Sequence, residues 1–258
     1  MVKDAFSWKA KNKLNWKLFL QIIIVIALIL GIEHVSYFYV GKSMGKLIGR
    51  DNTTNLQLPF DTVFPWISWI YPFYMLWPFM WFVVIPLVIY FASGKKQYYR
   101  YVVNAFLMYI IGTIIYIFLP TTCTPSYFIV PTADHLDWGG VASVHPWYHL
   151  LQPGDAFYSQ LSKLAADDNN IWGSCPSYHN YWASLLVLFA FYKGIKWYYR
   201  TPMIIVGLLI TLSTLGLHQH NITDVVITYG MTILFIYVEK YFDLSKKTEK
   251  LLNKLFFI

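Results

Sequence analysis

The chain has 258 residues, 57% hydrophobic and only 13% charged, with a net charge of +7. Soluble domains carry about a quarter charged residues, so an ordinary soluble domain is excluded and an integral membrane protein is expected. The basic excess follows a membrane topology and meets anionic headgroups, so no nucleic-acid partner is implied.

Crossing a hydrocarbon core takes about 20 helical residues. Six apolar runs qualify as candidates: 18–40, 66–92, 101–119, 181–197, 202–217 and 222–241. They predict an all-α integral membrane protein with six transmembrane helices bundled around an outer-facing site, and a long outer loop between the third and fourth. It forms a single membrane domain over 1–258, with an N-terminal segment 1–17, a six-helix core 18–241 and a C-terminal segment 242–258. The oligomeric state is left open.

The first run is too long for a signal-peptide core and continues into bulky aromatics, so it reads as a retained helix. Its outer part holds Glu33 and His34. Ionisable residues inside a membrane are costly and raise functional suspicion, while an adjacent polar pair reaching the interface explains them equally well. An outer loop, 41–65, leads to the second run, where Pro72, Pro78 and Pro86 remove backbone donors and bend helices. The bend makes room for a lipid chain, or the prolines are simply tolerated.

The third run opens into the longest loop, 120–180. Connections of that length are usually functional or disordered. Residues 155–166 have an amphipathic helical pattern, with Phe157, Leu161 and Leu164 on one side, as expected of a lid or interfacial helix. Cys123 and Cys175 stand at the two ends of this loop. An extracytoplasmic loop permits a disulfide between them; two free thiols are the other state the sequence allows.

Of the 20 Lys and Arg, all but Lys42, Lys46, Arg50 and Lys163 fall in the termini or in the loops on the termini's side. Cytoplasmic loops carry this excess, so both termini are expected in the cytoplasm. Trp66, Trp69, Tyr98, Tyr99, Trp197, Tyr198 and Tyr199 gather at span ends as interfacial anchors.

Two motifs carry chemistry. Cys175-Pro176-Ser177-Tyr178-His179 opens the fourth helix, where unpaired first-turn amides can hold an anion. His220 and Asp224, four residues apart, share one face if the sixth helix begins near Asn221. The carboxylate can then accept from one imidazole nitrogen and leave the other as nucleophile. Two histidines can divide phosphoryl transfer, one attacking phosphorus and one moving the proton. With His218 added, the same cluster also reads as a zinc-type ligand set.

Pro176-Ser177-Tyr178-His179, followed by Ser213-Thr214, His220 and Asp224, resembles the second and third signature motifs of the type 2 phosphatidic acid phosphatase superfamily. Related branches include the sphingomyelin synthase-like phosphotransferases. Residues 120–125, at the end of the third run, are similar in place to the family's first motif, and the resemblance spans roughly 61–238. It implies His220 as nucleophile, Asp224 as its orienter and His179 as general acid and later base. Ser177 and the Tyr178 amide would hold phosphate oxygens, with Ser213, Thr214 and Thr124 in substrate-binding places. It implies no metal and no cofactor. The substrate would be a membrane lipid phosphate or diphosphate, acted on from the extracytoplasmic face of a bacterial-type cell membrane.

The sequence also departs from the pattern. The family's first-motif Lys and Arg correspond to Ile117 and Thr124, its third-motif Arg to Thr214, and a common Gly to Tyr178. The cations that grip phosphate are absent from their places. His218 stands where it could supply one positive charge or serve as an interfacial polar residue; His135, His145, His149 and Lys163 are weaker candidates. The departures leave an altered or inactive relative, binding lipid or scaffolding a partner, as the competing reading.

Overall fold

A computed structural model describes residues 16–48, 54–56, 58, 59, 61, 67–75, 85–122, 175–192, 195–217 and 219–256. Pro78, Cys123, Thr124, the segment 155–166, Lys163, His218 and the three histidines of the long loop lie outside the described residues.

The described chain is helical apart from one short pairing. Helix α1 (Trp16–His34) continues as a π-helical stretch (Val35–Gly41) into α2 (Lys42–Ile48). A two-residue strand β1 (Thr54–Asn55) and a 3-10 turn (Ser68–Ile70) precede α3 (Tyr71–Met75) and α4 (Ile85–Ser93). Then come α5 (Lys95–Phe118), β2 (Thr121–Thr122), α6 (Tyr178–Ala190), α7 (Trp197–Gly216), α8 (Ile222–Phe242) and α9 (Leu244–Phe256). β1 and β2 pair in parallel, Thr54 with Thr121 and Asn55 with Thr122, and pin the end of α5.

Four of these segments are long and apolar enough to cross a bilayer: Trp16–Gly41, Lys95–Phe118, Trp197–Gly216 and Ile222–Phe242. They correspond to the first, third, fifth and sixth expected runs. The second run is described only in part, as α3 and α4, with 76–84 outside the description. The fourth begins at Tyr178 and stops at Ala190, three residues before the expected start and seven before the expected end. Its 13 residues rise about 20 Å, less than the roughly 30 Å hydrocarbon core. The guanidinium of Arg200 ends it, donating through Nε to the Ala190 carbonyl at 3.0 Å and through an NH2 to that of Ile195 at 3.3 Å. Such a cation satisfies carbonyls that lack helical partners. The fifth run starts earlier than expected, at Trp197, and carries Pro202 within it.

Polar and apolar faces are arranged for lipid. Val226, Ile233, Leu234 and Tyr237 of α8, Ile110 and Ile114 of α5, and Ile205, Leu208 and Leu212 of α7 are exposed. On α8 the buried residues are Asp224, Thr228, Thr232, Phe235 and Glu239, a stripe at helical spacing. Without water in the bilayer core, such groups must find partners inside the protein.

The two ends of the bundle differ. Arg100, near the start of α5, pairs with buried Glu239, near the end of α8, at 3.3 Å, and lies over the Tyr192 ring. α5 and α8 are therefore antiparallel. At that end Tyr99 of α5 donates to Gln21 of α1 and Asn253 of α9. At the other end Tyr116 of α5 donates to the Pro176 carbonyl at 2.8 Å, and Thr121 binds both the amide and the carbonyl of Cys175. The second end is where the histidines stand.

α6 packs most extensively on α7, through small residues as membrane helices do. A Cβ at Gly207 would lie 2.5 Å from Val187 Cγ2 and 2.8 Å from the Ala183 carbonyl oxygen. Gly207→Ala is expected to force these helices apart and cost about 1–3 kcal/mol. A lowered thermal midpoint in detergent would register this, and an unchanged midpoint would contradict the close approach.

Candidate active site

Ser177 caps α6. Its hydroxyl oxygen accepts from the Asn180 backbone amide at 3.2 Å and from Asn180 Nδ2 at 2.9 Å, satisfying a first-turn donor as cap residues do. Asn180 extends the link to α7, with its Nδ2 3.1 Å from Thr214 Oγ1. The Ser177 amide donates to Thr228 Oγ1 on α8 at 3.0 Å. One turn deeper, the hydroxyls of Ser184 and Thr232 meet at 2.6 Å. Three helices thus converge on the cap, with Ser177, Asn180, Thr214, Thr228, Ser184 and Thr232 all at 0% exposure.

The turn from α7 to α8 is fastened from inside. The Thr214 carbonyl accepts from the amides of Gln219 at 2.8 Å and His220 at 3.2 Å. Asn221 precedes α8, and its amide donates to Asp224 Oδ2 at 3.1 Å, half of a reciprocal capping arrangement. The same carboxylate oxygen lies 3.4 Å from His220 Nδ1. His220 is 7% exposed and Asp224 is fully buried. Nδ1 faces the carboxylate, so Nε2 is the nitrogen left for chemistry.

The two histidines meet. The His179 and His220 rings lie 5.4 Å apart between centroids, tilted by 55°. Tyr74 of α3 stacks on His179 at 5.0 Å and 16°. An attacking imidazole and a proton-carrying imidazole can therefore serve one small group.

Other expected residues fall into two groups. Ser213 and Thr214 are buried, and each hydroxyl donates back to its own helix, to the carbonyls of Ile210 at 2.7 Å and Thr211 at 2.8 Å. Tyr178 turns its side chain away from the histidines, against Tyr109 and Tyr116, and its hydroxyl pairs with that of Ser36 on the π-helical stretch. Only the Tyr178 backbone amide, at the first helical position without an intrahelical acceptor, remains for an anion. A Cβ at Gly112 would meet the Tyr178 hydroxyl at 2.9 Å, so glycine there admits the large ring. Thr124 and His218 lie outside the described residues. Among those described, no group of three His, Cys, Asp or Glu is arranged as a metal set.

Cys175 is buried with a free thiol. Burial pushes its pKa up, and the charge of Asp224 adds to the rise. Cys123, with which the sequence allows either a disulfide or two free thiols, is not among the described residues.

Two residues escaped the sequence reading. Asp61, fully buried, accepts from the Leu58 amide through Oδ2 at 2.7 Å and from the Ile222 amide through Oδ1 at 2.8 Å. It ties the segment before α3 to the start of α8, where a carboxylate also complements the helix dipole. Its signal was a lone acidic residue just ahead of a long uncharged run. Tyr74 had no signal, because one Tyr among twenty-one in an aromatic-rich membrane protein looks like an interfacial anchor.

A family model described as the PAP2 superfamily matches residues 61–238. Its first residue is Asp61 and its span takes in both histidines and Asp224. No curated protein and no solved structure matches the chain.

The state of Cys175 is open to a direct check. In a Cys123→Ser variant, the remaining thiol should stay unlabelled by a maleimide while the protein is folded and react once it is denatured, because a buried, protonated thiol is inert. Labelling at the rate of a free thiol in the folded state would contradict the burial.

Proposed function

We propose that this chain, which belongs to the PAP2 superfamily, is a membrane lipid phosphatase or phosphotransferase that works through a phosphohistidine at His220. The observation that carries the reading is the meeting of His179 and His220 at 5.4 Å, with Asp224 behind Nδ1 of His220. Superfamily membership supports phosphatase-type chemistry in general; the lipid substrate and the steps are our reading.

His220 Nε2 attacks phosphorus, and the P–N bond forms as the ester P–O bond breaks. The departing oxygen takes a proton from His179. A water then gives a proton to His179 as its oxygen attacks phosphorus, the P–N bond breaks, and inorganic phosphate leaves. An acceptor hydroxyl in place of water makes the same sequence a transfer. Asp224 orients His220 and stabilises the positive charge its ring acquires. Candidate substrates are phosphatidic acid, a polyprenyl diphosphate and a phospholipid headgroup.

The distribution of charge supports an extracytoplasmic site. Lys95, Lys96 and Arg100 begin α5, Lys196 and Arg200 flank the start of α7, and Lys240 ends α8. Lys246, Lys247, Lys250 and Lys254 lie on α9. All belong to the end away from His220, and basic residues favour the cytoplasmic side. Glu239, in the pair with Arg100, is 15 residues along α8 from Asp224, about 22 Å at helical rise.

Phosphate release from a panel of lipid phosphates by the purified protein tests the proposal. His179→Ala should slow release by about 10²–10⁴-fold, and His220→Ala should reduce it to background. Equal background rates from all three proteins would overturn the enzyme reading and favour a lipid-binding or scaffolding relative.

A further inference from the structure

The site as described lacks a cation in the motif places, so the phosphate must be held by other donors. Several donors near His220 are already committed. The Asn221 amide is bound to Asp224 and the Ile222 amide to Asp61. The Ser213 and Thr214 hydroxyls point their protons at helix carbonyls. Asn180 Nδ2 is shared between Ser177 and Thr214.

One strong donor next to the nucleophile is not committed. Asn221 is 1% exposed, and neither the Nδ2 nor the Oδ1 of its side-chain amide has a hydrogen-bond partner. A buried amide left in that state costs free energy comparable to a lost hydrogen bond, so an unpaired one calls for an explanation. Asp224 Oδ1, three residues on, is also without a partner, so the amide is not spent on the orienting carboxylate. Asn221 is the N-cap of a 21-residue helix, and the side chain of a cap residue lies over the first turn, where the helix dipole favours an anion.

We infer that Asn221 is a phosphate-binding residue: its Nδ2 donates to a non-bridging oxygen of the phosphoryl group while His220 attacks. The inference rests on the phosphoryl-transfer reading and names one donor that replaces part of the missing cationic grip. A neutral amide suits a site that already holds the carboxylates of Asp61 and Asp224. Thr223 Oγ1, likewise buried without a partner on the same first turn, is a second unpaired polar group close in the chain.

Two substitutions separate the donor from the cap. Asn221→Ser keeps a favoured cap residue and removes the amide; Asn221→Asp keeps the shape and replaces the NH2 with an acceptor oxygen. The probe is orthovanadate, a phosphate analogue, read as a concentration-dependent thermal shift of the full chain in detergent. The wild type should bind it, Asn221→Ser should raise the Kd by about tenfold or more, as loss of a hydrogen bond to a charged group does, and Asn221→Asp should bind more weakly still. Wild-type Kd values in both variants, or no orthovanadate shift in the wild type, would overturn the inference. The lipid assay distinguishes the two claims. Asn221-dependent orthovanadate binding without lipid phosphate release sinks the phosphatase reading alone. Lipid phosphate release with unchanged kcat and KM in Asn221→Ser sinks the Asn221 assignment alone.

Discussion

The buried hydroxyl and amide side chains of α6 must find partners inside the protein, and the partners they take determine where both histidines stand. Ser177 meets Thr228 of α8 through its amide, and Asn180 reaches Thr214 of α7. Ser184 meets Thr232 a turn below. Each bond is modest in water, but here the alternative is an unsatisfied polar group in an apolar medium. His179 follows Ser177 by two residues, and His220 hangs from the Thr214 carbonyl. The seam that satisfies the polar groups is therefore also the frame of the site. Close packing at Gly207 lets α6 and α7 approach enough for Asn180 to span them.

The second anchor works from outside the seam. Asp61 holds the Leu58 and Ile222 amides, so the segment leading to α3 is fastened to the start of α8. Tyr74, on α3, then stacks on His179. At the far end Arg100 and Glu239 join α5 to α8, and a buried pair of this kind is valued more for fixing register than for net stability. The bundle is thus tied at both ends, with the two histidines at one and Arg100 at the other.

Composition and periodicity made the membrane class, the first, third and sixth spans and the histidine motifs legible, because each is a local signal. A run of apolar residues needs no partner to be recognised, and His220 with Asp224 needs only helical spacing. The fourth run was misjudged at its far end because that boundary is set from the next helix: Arg200 of α7 takes the Ala190 carbonyl. The sequence reading of Tyr178 concerned its backbone amide; where its ring goes was not legible, because Gly112 and Ser36, distant in the chain, receive it in the core. The polar stripe Asp224, Thr228, Thr232 and Glu239, spaced by four, four and seven residues, lies within an apolar run. Its meaning emerges only once Ser177 and Ser184 are seen facing it.

The account turns on a covalent bond between His220 and phosphorus, and that bond can be sought directly. Phosphoramidates survive alkali, so the protein can be mixed with a lipid phosphate that it turns over, quenched at high pH within the first turnover, digested, and mapped by mass spectrometry. The account predicts a phosphoryl group on His220, absent from His220→Ala and longer-lived in His179→Ala. Turnover of the lipid with no phosphate on His220 at any quench time, or phosphate on a different side chain, would contradict it.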